Sequence, residues 1–456
     1  MSSAAVVTPE CLAEQSSRGP RYTSYPPATE FGPVAPARVV RELAELRAEG
    51  KPVSLYVHVP FCRSLCWYCG CNVIPSRDTS RGEQYVDGVA TELAILAGSL
   101  GIGHPLSEIA LGGGSPNFLT PKSLRVLIEA IRRCFTITPN ARLSVELDPR
   151  DTTTTQLEAF ANAGFRSLSV GVQDFSPQVQ DAIHRHQTAV QTRWLIERAR
   201  AYGFTDVNVD IVYGLPRQSE ESFLQTIESV IELAPDRIAL FGYAHLPDKL
   251  PHQRLVERAG RVLDRYERAT LLLAAIDRLA QAGYVHLGLD HFAKPGSGLA
   301  RAAAEHRMTR TFQGYVEHRA DTILGVGVSS ISSTPRMFWQ NHTELAKWEA
   351  DIGQARLPVE RGIVLDADDQ IRRALIERLM CDGEIELDQL GKRFGIDPMA
   401  YFARELDALA GQHELAVLDR DAHAIRTTPM GKLLVRNVCM TFDRYHRDGA
   451  RFSSTI

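Results

Sequence analysis

The sequence predicts an α/β fold: an incomplete, TIM-like (β/α)6 barrel, preceded by an N-terminal extended segment and followed by a mostly helical, winged-helix-like C-terminal domain. Three observations predict it. Between about residues 52 and 243 strand-like and helix-like runs alternate, which is the pattern of a parallel sheet. The polar signals of this region fall at the C-terminal ends of successive strand-like runs, the rim that carries chemistry in barrels. The stretches on either side, 1–50 and 359–456, lose that alternation.

Residues 1–50 begin with a polar stretch, continue through Arg21-Tyr22-Thr23-Ser24-Tyr25-Pro26-Pro27 and end in a helix near 37–48. The paired prolines disfavour regular structure, so the segment is expected to lie extended over the barrel opening and cover the site. Arg21 is there available to a carboxylate. The stretch is too short to fold alone, and removal of residues 1–27 is expected to leave the cluster and the fold intact yet impair product formation. The catalytic domain is placed at 51–358. Its first strand, 53–59, alternates cleanly, with Val53, Leu55, Val57 and Val59 on one face and Ser54, Tyr56 and His58 on the other. Further strands are expected at 108–111, 142–147, 167–172, 206–212 and 237–243, with helices at 83–96, 123–133, 155–163 and 191–202. A long helix at 261–282 leads to two extensions of the sheet, 284–289 and 323–329. In the C-terminal domain, runs at 387–394, 398–409, 415–418 and 424–428 resemble a winged helix. The candidate recognition helix carries Asp397, Glu405 and Asp407 against Arg404, the wrong charge for phosphates, so a lid or packing module is expected instead.

Composition excludes several classes. A chain of 456 residues with 44% hydrophobic and 23% charged residues is long enough for a large barrel with an appendage. A net charge of −4 gives no general attraction to nucleic acid or anionic membrane. No run of eighteen apolar residues is present, and the first twenty residues lack the n- and h-regions of a signal peptide. A cytoplasmic protein is expected, with neither nucleic-acid nor membrane partner.

The most informative feature is Cys62-Arg63-Ser64-Leu65-Cys66-Trp67-Tyr68-Cys69-Gly70-Cys71, directly after the first strand. C-x3-C-x2-C offers three thiolates from one loop, and a four-iron cluster so held keeps one iron open for a small molecule. Structural zinc would need a second pair, whereas Cys11, Cys134, Cys381 and Cys439 stand alone. Cys71 reads equally as a spare thiol or a ligand. The other rim residues are Gly112-Gly113-Gly114, Glu146, Gln173-Asp174, Asp210 and Tyr243-Ala244-His245. Glycine lets backbone approach a ligand closely. Glu146, Gln173, Arg185 and Asp210 suit the polar edges of one or two molecules of S-adenosylmethionine bound beside the cluster. His184-Arg185-His186 has no zinc spacing.

Several runs together resemble the radical S-adenosylmethionine enzymes: Tyr56-Val57-His58-Val59-Pro60-Phe61-Cys62, the continuation through Cys71-Asn72, and Gly112-Gly113-Gly114-Ser115-Pro116. More narrowly, residues 21–452 resemble the oxygen-independent coproporphyrinogen III oxidase family. This rests on residues 21–26, Gly171-Val172-Gln173-Asp174-Phe175, Tyr213-Gly214-Leu215-Pro216, Tyr243-Ala244-His245-Leu246-Pro247, Phe312-Gln313-Gly314-Tyr315, Arg361-Gly362 and Arg436-Asn437-Val438-Cys439-Met440. The resemblance implies a barrel of the radical SAM type and decarboxylation of two propionates of coproporphyrinogen III to vinyl groups. It implies that Cys62, Cys66 and Cys69 bind a [4Fe-4S] cluster, and that Cys71 and Tyr56 are catalytic. Tyr56, Tyr68, Gly112, Glu146 and Ile331 would contact S-adenosylmethionine on the cluster, and Gly113, Gly114, Gln173, Arg185, Asp210 and Ala244 a second molecule. It also implies a monomer served by an electron donor such as flavodoxin or ferredoxin.

One departure stands out. After Tyr315 the family carries small hydroxyl residues, whereas this chain has Val316-Glu317-His318, and Glu317 near a tetracarboxylate would repel it. Two other functions share the scaffold. A haem-handling chaperone relative is weighed against by Cys71 and the 21–26 segment. Another radical reaction on a tetrapyrrole, methyl transfer or anaerobic haem opening, would be told apart by its products.

Overall fold

A twelve-stranded sheet organises the chain. The computed structural model describes residues 7–312, 314–317, 321–447 and 452–456, so Gln313 and His318 lie outside the described residues. The strands are β1 (Val53–Val59), β2 (His104–Gly113), β3 (Phe135–Leu147), β4 (Ser167–Gln173), β5 (Asp206–Tyr213), β6 (Arg237–Gly242), β7 (Val285–Gly288), β8 (His291–Ala293), β9 (Ile323–Val326), β10 (Ile331–Ser333), β11 (Met337–Asn341) and β12 (Val359–Val364). Their order across the sheet is β12-β11-β10-β9-β1-β2-β3-β4-β5-β6-β8-β7. β9 and β1 to β6 run parallel, and both edges are antiparallel. The six expected units and the two extensions are present. The expected division after residue 358 passes just before the edge strand β12.

Side-chain alternation sets the two faces of the sheet. On β1, Leu55, Val57 and Val59 join the main apolar core, while Tyr56 packs on the other face with Ala110, Ile323 and Phe312. Helices cover the apolar face because their own stripes match it. The helix Pro121–Cys134 buries Leu124, Leu127, Ile128 and Ile131, and its N-cap Thr120 accepts from the Ser123 N–H.

Several elements differ from expectation. β2 and β3 begin at His104 and Phe135, earlier than the alternation suggested. Thr138-Pro139-Asn140 reads as a turn but lies where the register shifts, between the pairs Leu106↔Ile137 and Glu108↔Arg142. The long helix expected at 261–282 is a single helix, Arg265–Gln281, which starts later because an Asp264/Glu267 capping box sets its first turn; a separate short helix, Arg254–Ala259, precedes it. The 398–409 run divides into Pro398–Tyr401 and Ala403–Ala410, and a third strand, Glu384–Glu386, joins the expected hairpin.

The N-terminal segment is tied to the other end of the chain. The Arg436 guanidinium is buried and donates to the carbonyls of Gly19, Pro20 and Ser454, the last two at 2.8 Å. The Tyr22 hydroxyl donates to Asp443 at 3.0 Å, and the Ser17 N–H to Thr455 Oγ1 at 3.0 Å. The segment is therefore an integral part of the packing, and deleting it would strand a buried guanidinium. Arg436→Met should destabilise the protein by about 3 kcal/mol, because several buried carbonyls lose a charged donor. A shift of the urea unfolding midpoint at constant slope would measure this.

Candidate active site

The cysteine loop leaves β1 and returns beside it. The Ile74 N–H donates to Pro60 O at 2.7 Å and the Ser76 N–H to Cys62 O at 2.8 Å, closing the base of the loop. His58 holds its far end, with Nε2 3.0 Å from Asn72 O. A carbonyl only accepts, so Nε2 carries the proton and Nδ1 is left to accept from the Tyr56 hydroxyl at 3.3 Å. Burial pushes His58 down to about 4, which keeps this tautomer neutral. Outside, the loop is pinned by backbone and side chains that sequence reasoning missed. The Trp67 N–H donates to Ile183 O, His252 Nε2 to Cys69 O at 2.8 Å, and buried Gln253 bridges Tyr68 O and Ala244 O. Trp67 stacks on His184 at 5.1 Å.

The loop opens into a cavity of about 920 Å³ at the C-terminal ends of the parallel strands. Cys62, Cys66, Cys69 and Cys71 line it together with Tyr68, Gly113, Gly114, Glu146, Gln173, Arg185 and Asp210. Gly112 is one step away: a Cβ there would stand 2.8 Å from the Glu146 carboxyl. Gly113 has φ +115, donates its N–H to Glu146 Oε2 at 3.3 Å, and would strike the His58 ring with any side chain. Tyr56 lies deeper, edge-on to Phe312 at 4.9 Å. Ala244 touches the loop through Gln253. Ile331 lines a neighbouring cavity with Tyr22, Arg310 and Phe312.

The charges around the cavity are arranged in two groups. Asp148 binds Arg150 at 2.6 Å and Arg185 at 3.1 Å, and each guanidinium also donates to Cys66 Sγ at 3.5 Å. Burial works to raise Asp148, but the two arginines outweigh it and hold the carboxyl at about 2. Arg185 also donates to Gly171 O at 2.5 Å, yet its buried Nε has no partner. Neither Asp148 nor Arg150 was singled out from the sequence; the D-P-R run one residue beyond β3 was the available signal. The second group is Glu146 and Asp210. Burial first, and Asp210 second, push Glu146 up to about 7, and burial raises Asp210 as well although Ser169 and Asn208 donate to it. Among the thiols, burial pushes Cys62 up to about 12, whereas a hydrogen bond from Cys71 brings Cys69 down to about 7.

Glu317 faces the opposite end of the barrel. It lies 3.9 Å from Arg142, in a network where Asp206 binds Arg142 at 2.6 Å and Arg237 at 2.8 Å. Asp206 and Arg237 start β5 and β6, so the anomalous carboxylate points away from the rim and is paired.

Two family models match the chain: the Radical SAM superfamily over residues 56–230, and the HemN C-terminal domain over residues 365–434. The oxygen-independent coproporphyrinogen III oxidase of Pseudomonas aeruginosa is 36% identical, over 96% of both chains. That of Escherichia coli is 38% identical, over 95% of this chain and 94% of its own. A solved structure of the Escherichia coli coproporphyrinogen III oxidase, described as a radical SAM enzyme, superposes with a TM-score of 0.89 at 36% identity, covering 93% of this chain and 98% of that one. The chain belongs to the oxygen-independent coproporphyrinogen III oxidase family. It is a radical SAM oxidoreductase, whose cofactors are a [4Fe-4S] cluster and S-adenosylmethionine. The residues present suit both. Four thiols share one cavity with donors aimed at a sulfur, the buried Arg185 Nε has no partner, and the Gly112-Gly113 backbone is bare.

The buried carboxyl of Glu146 makes the cofactor-free enzyme pH-sensitive. Its unfolded value is near 4.5 and its folded value about 7, so the folded chain is favoured below 4.5 and loses that advantage as pH rises through 7. Glu146→Gln should therefore stabilise the cofactor-free protein at pH 8 by on the order of 3 kcal/mol and match the native chain at pH 4. Urea denaturation at the two pH values checks it.

Proposed function

We propose that this enzyme converts two propionate side chains of coproporphyrinogen III to vinyl groups, giving protoporphyrinogen IX without oxygen. The observation that carries this reading is the convergence of Cys62, Cys66, Cys69, Glu146 and Asp210 on one cavity at the parallel-strand rim, in a chain related over nearly its full length to enzymes of that name. When bound, the cluster and S-adenosylmethionine supply a carbon radical able to take hydrogen from an unactivated C–H bond. Each propionate then loses one hydrogen atom, one electron and carbon dioxide.

The side chains divide the remaining work. Cys62, Cys66 and Cys69 would hold the cluster, with Arg150 and Arg185 neutralising charge on the Cys66 sulfur. Tyr56, Tyr68, Gly112, Glu146 and Ile331 would contact the S-adenosylmethionine on the cluster; bare backbone at Gly112 and the Glu146 carboxyl suit its ammonium and ribose groups. Gly113, Gly114, Gln173, Arg185, Asp210 and Ala244 would serve a second molecule, with Arg185 Nε as a free donor. Cys71, exposed to the cavity beside Cys69, would act near substrate. The 1–50 segment would exclude water, the 51–358 region would hold the chemistry, and the 359–456 region would brace the cover. Flavodoxin or ferredoxin is the fitting class of electron donor, and a cytoplasmic monomer the fitting setting. No helix of the described residues is long and apolar enough to cross a membrane.

Anaerobic turnover of reconstituted enzyme with coproporphyrinogen III should release two carbon dioxide molecules per divinyl product; a methylated or ring-opened product would refute the reading. Cys62→Ala, Cys66→Ala and Cys69→Ala should each lose the cluster, measured as iron per chain and visible absorbance. Cys71→Ser should retain iron yet lose at least about a hundredfold in vinyl formation, a scale typical of groups acting in the chemical step.

A further inference from the structure

Arginines are concentrated where the N-terminal segment meets β6, β8 and the C-terminal helix. Arg21 donates to Gly242 O at 2.8 Å, and its other N–H groups have no acceptor among the described residues; the side chain stays partly exposed. Arg268 donates to Tyr243 O at 2.9 Å, and its Nε is buried without a partner. Arg310 is ion-paired through Nη1 with Asp290 at 3.6 Å and stands 4.6 Å over the Tyr315 ring, and its Nε has no hydrogen-bond partner. Arg436 completes the group, spent on backbone carbonyls. The carboxylate that acts most strongly on Arg21 and Arg310 is Asp290. Burial, with neighbouring guanidiniums adding to it, pulls Arg21, Arg268 and Arg436 below their ordinary values, Arg436 to about 9, whereas Asp290 holds Arg310 above its own.

These guanidiniums border the reaction chamber. Phe241, next to the carbonyl that holds Arg21, lines the cysteine-loop cavity. Arg310 lines the adjoining cavity of about 680 Å³, whose Phe312 packs on Tyr56. We propose that Arg21 and Arg310 form a receptor for a propionate carboxylate of the substrate, and specifically for one that the reaction retains. A guanidinium pair stabilises a carboxylate against loss as neutral carbon dioxide, so this site holds the ring while another propionate reacts. Arg268 and Arg436 supply background field. The inference rests on the tetracarboxylate substrate proposed above.

Equilibrium binding separates the two. Coproporphyrinogen III, its tetramethyl ester and protoporphyrinogen IX are titrated anaerobically into reconstituted enzyme without S-adenosylmethionine, so nothing turns over. Native enzyme should prefer the acid to the ester. Arg21→Met should weaken both coproporphyrinogen III and protoporphyrinogen IX roughly tenfold and leave the ester unchanged, at full iron content, and Arg21→Lys should recover part of the loss. Arg310→Met should act in the same direction. Unchanged acid affinity in both Met variants overturns the receptor, and weakened binding of coproporphyrinogen III alone overturns the assignment to a retained propionate. Native enzyme that binds the acid but forms no vinyl product counts against the reaction and leaves the receptor standing.

Discussion

Seven strands paired in parallel must all end on the same edge, and the chemistry depends on that constraint. Parallel register fixes Tyr56 opposite Ala110, Val59 opposite Gly113, and Gly171 opposite Asp210. Residues remote in sequence therefore reach one cavity without any of them being chosen by its neighbours. The helices outside supply stability from Leu, Val and Ile stripes, which leaves the inner face free to carry Ser, Asn, Asp, Glu and Arg. That division of labour lets a polar interior persist in a well-packed protein.

Buried charge is managed in pairs and triads. At the strand starts, Asp206 joins Arg142 and Arg237; at the strand ends, Asp148 joins Arg150 and Arg185. Glu317 brings the first array to balance, whereas the second keeps one excess positive charge, which both of its guanidiniums turn toward the Cys66 sulfur. Glu146 and Asp210 break the pattern: two carboxyls share a site, and in the absence of a ligand one is driven toward its neutral form. A cationic ligand would relieve this, and the ammonium and sulfonium of S-adenosylmethionine are such groups.

The barrel and much of its rim were legible in the sequence because strands and glycines leave periodic or compositional marks. The alternation of β1, the C-x3-C-x2-C loop and the glycine run could each be read from a few adjacent residues. His252 and Gln253 could not, because their roles consist of contacts across long sequence separations: Gln253 meets Tyr68 O from 185 residues away. The orientation of Glu317 was hidden for the same reason. Only the fold places it beside Arg142. The N-terminal segment read correctly as irregular, but its dependence on Arg436 lies 416 residues downstream of Pro20.

That last contact has a consequence in time. Ser17, Pro20 and Tyr22 are synthesised at least 416 residues ahead of their partners Thr455, Arg436 and Asp443. Until those partners emerge the segment has nothing to dock on, and the parallel strands can pair without it. On the covering role proposed above, that interval is when the cysteine loop is open to whatever delivers iron and sulfide.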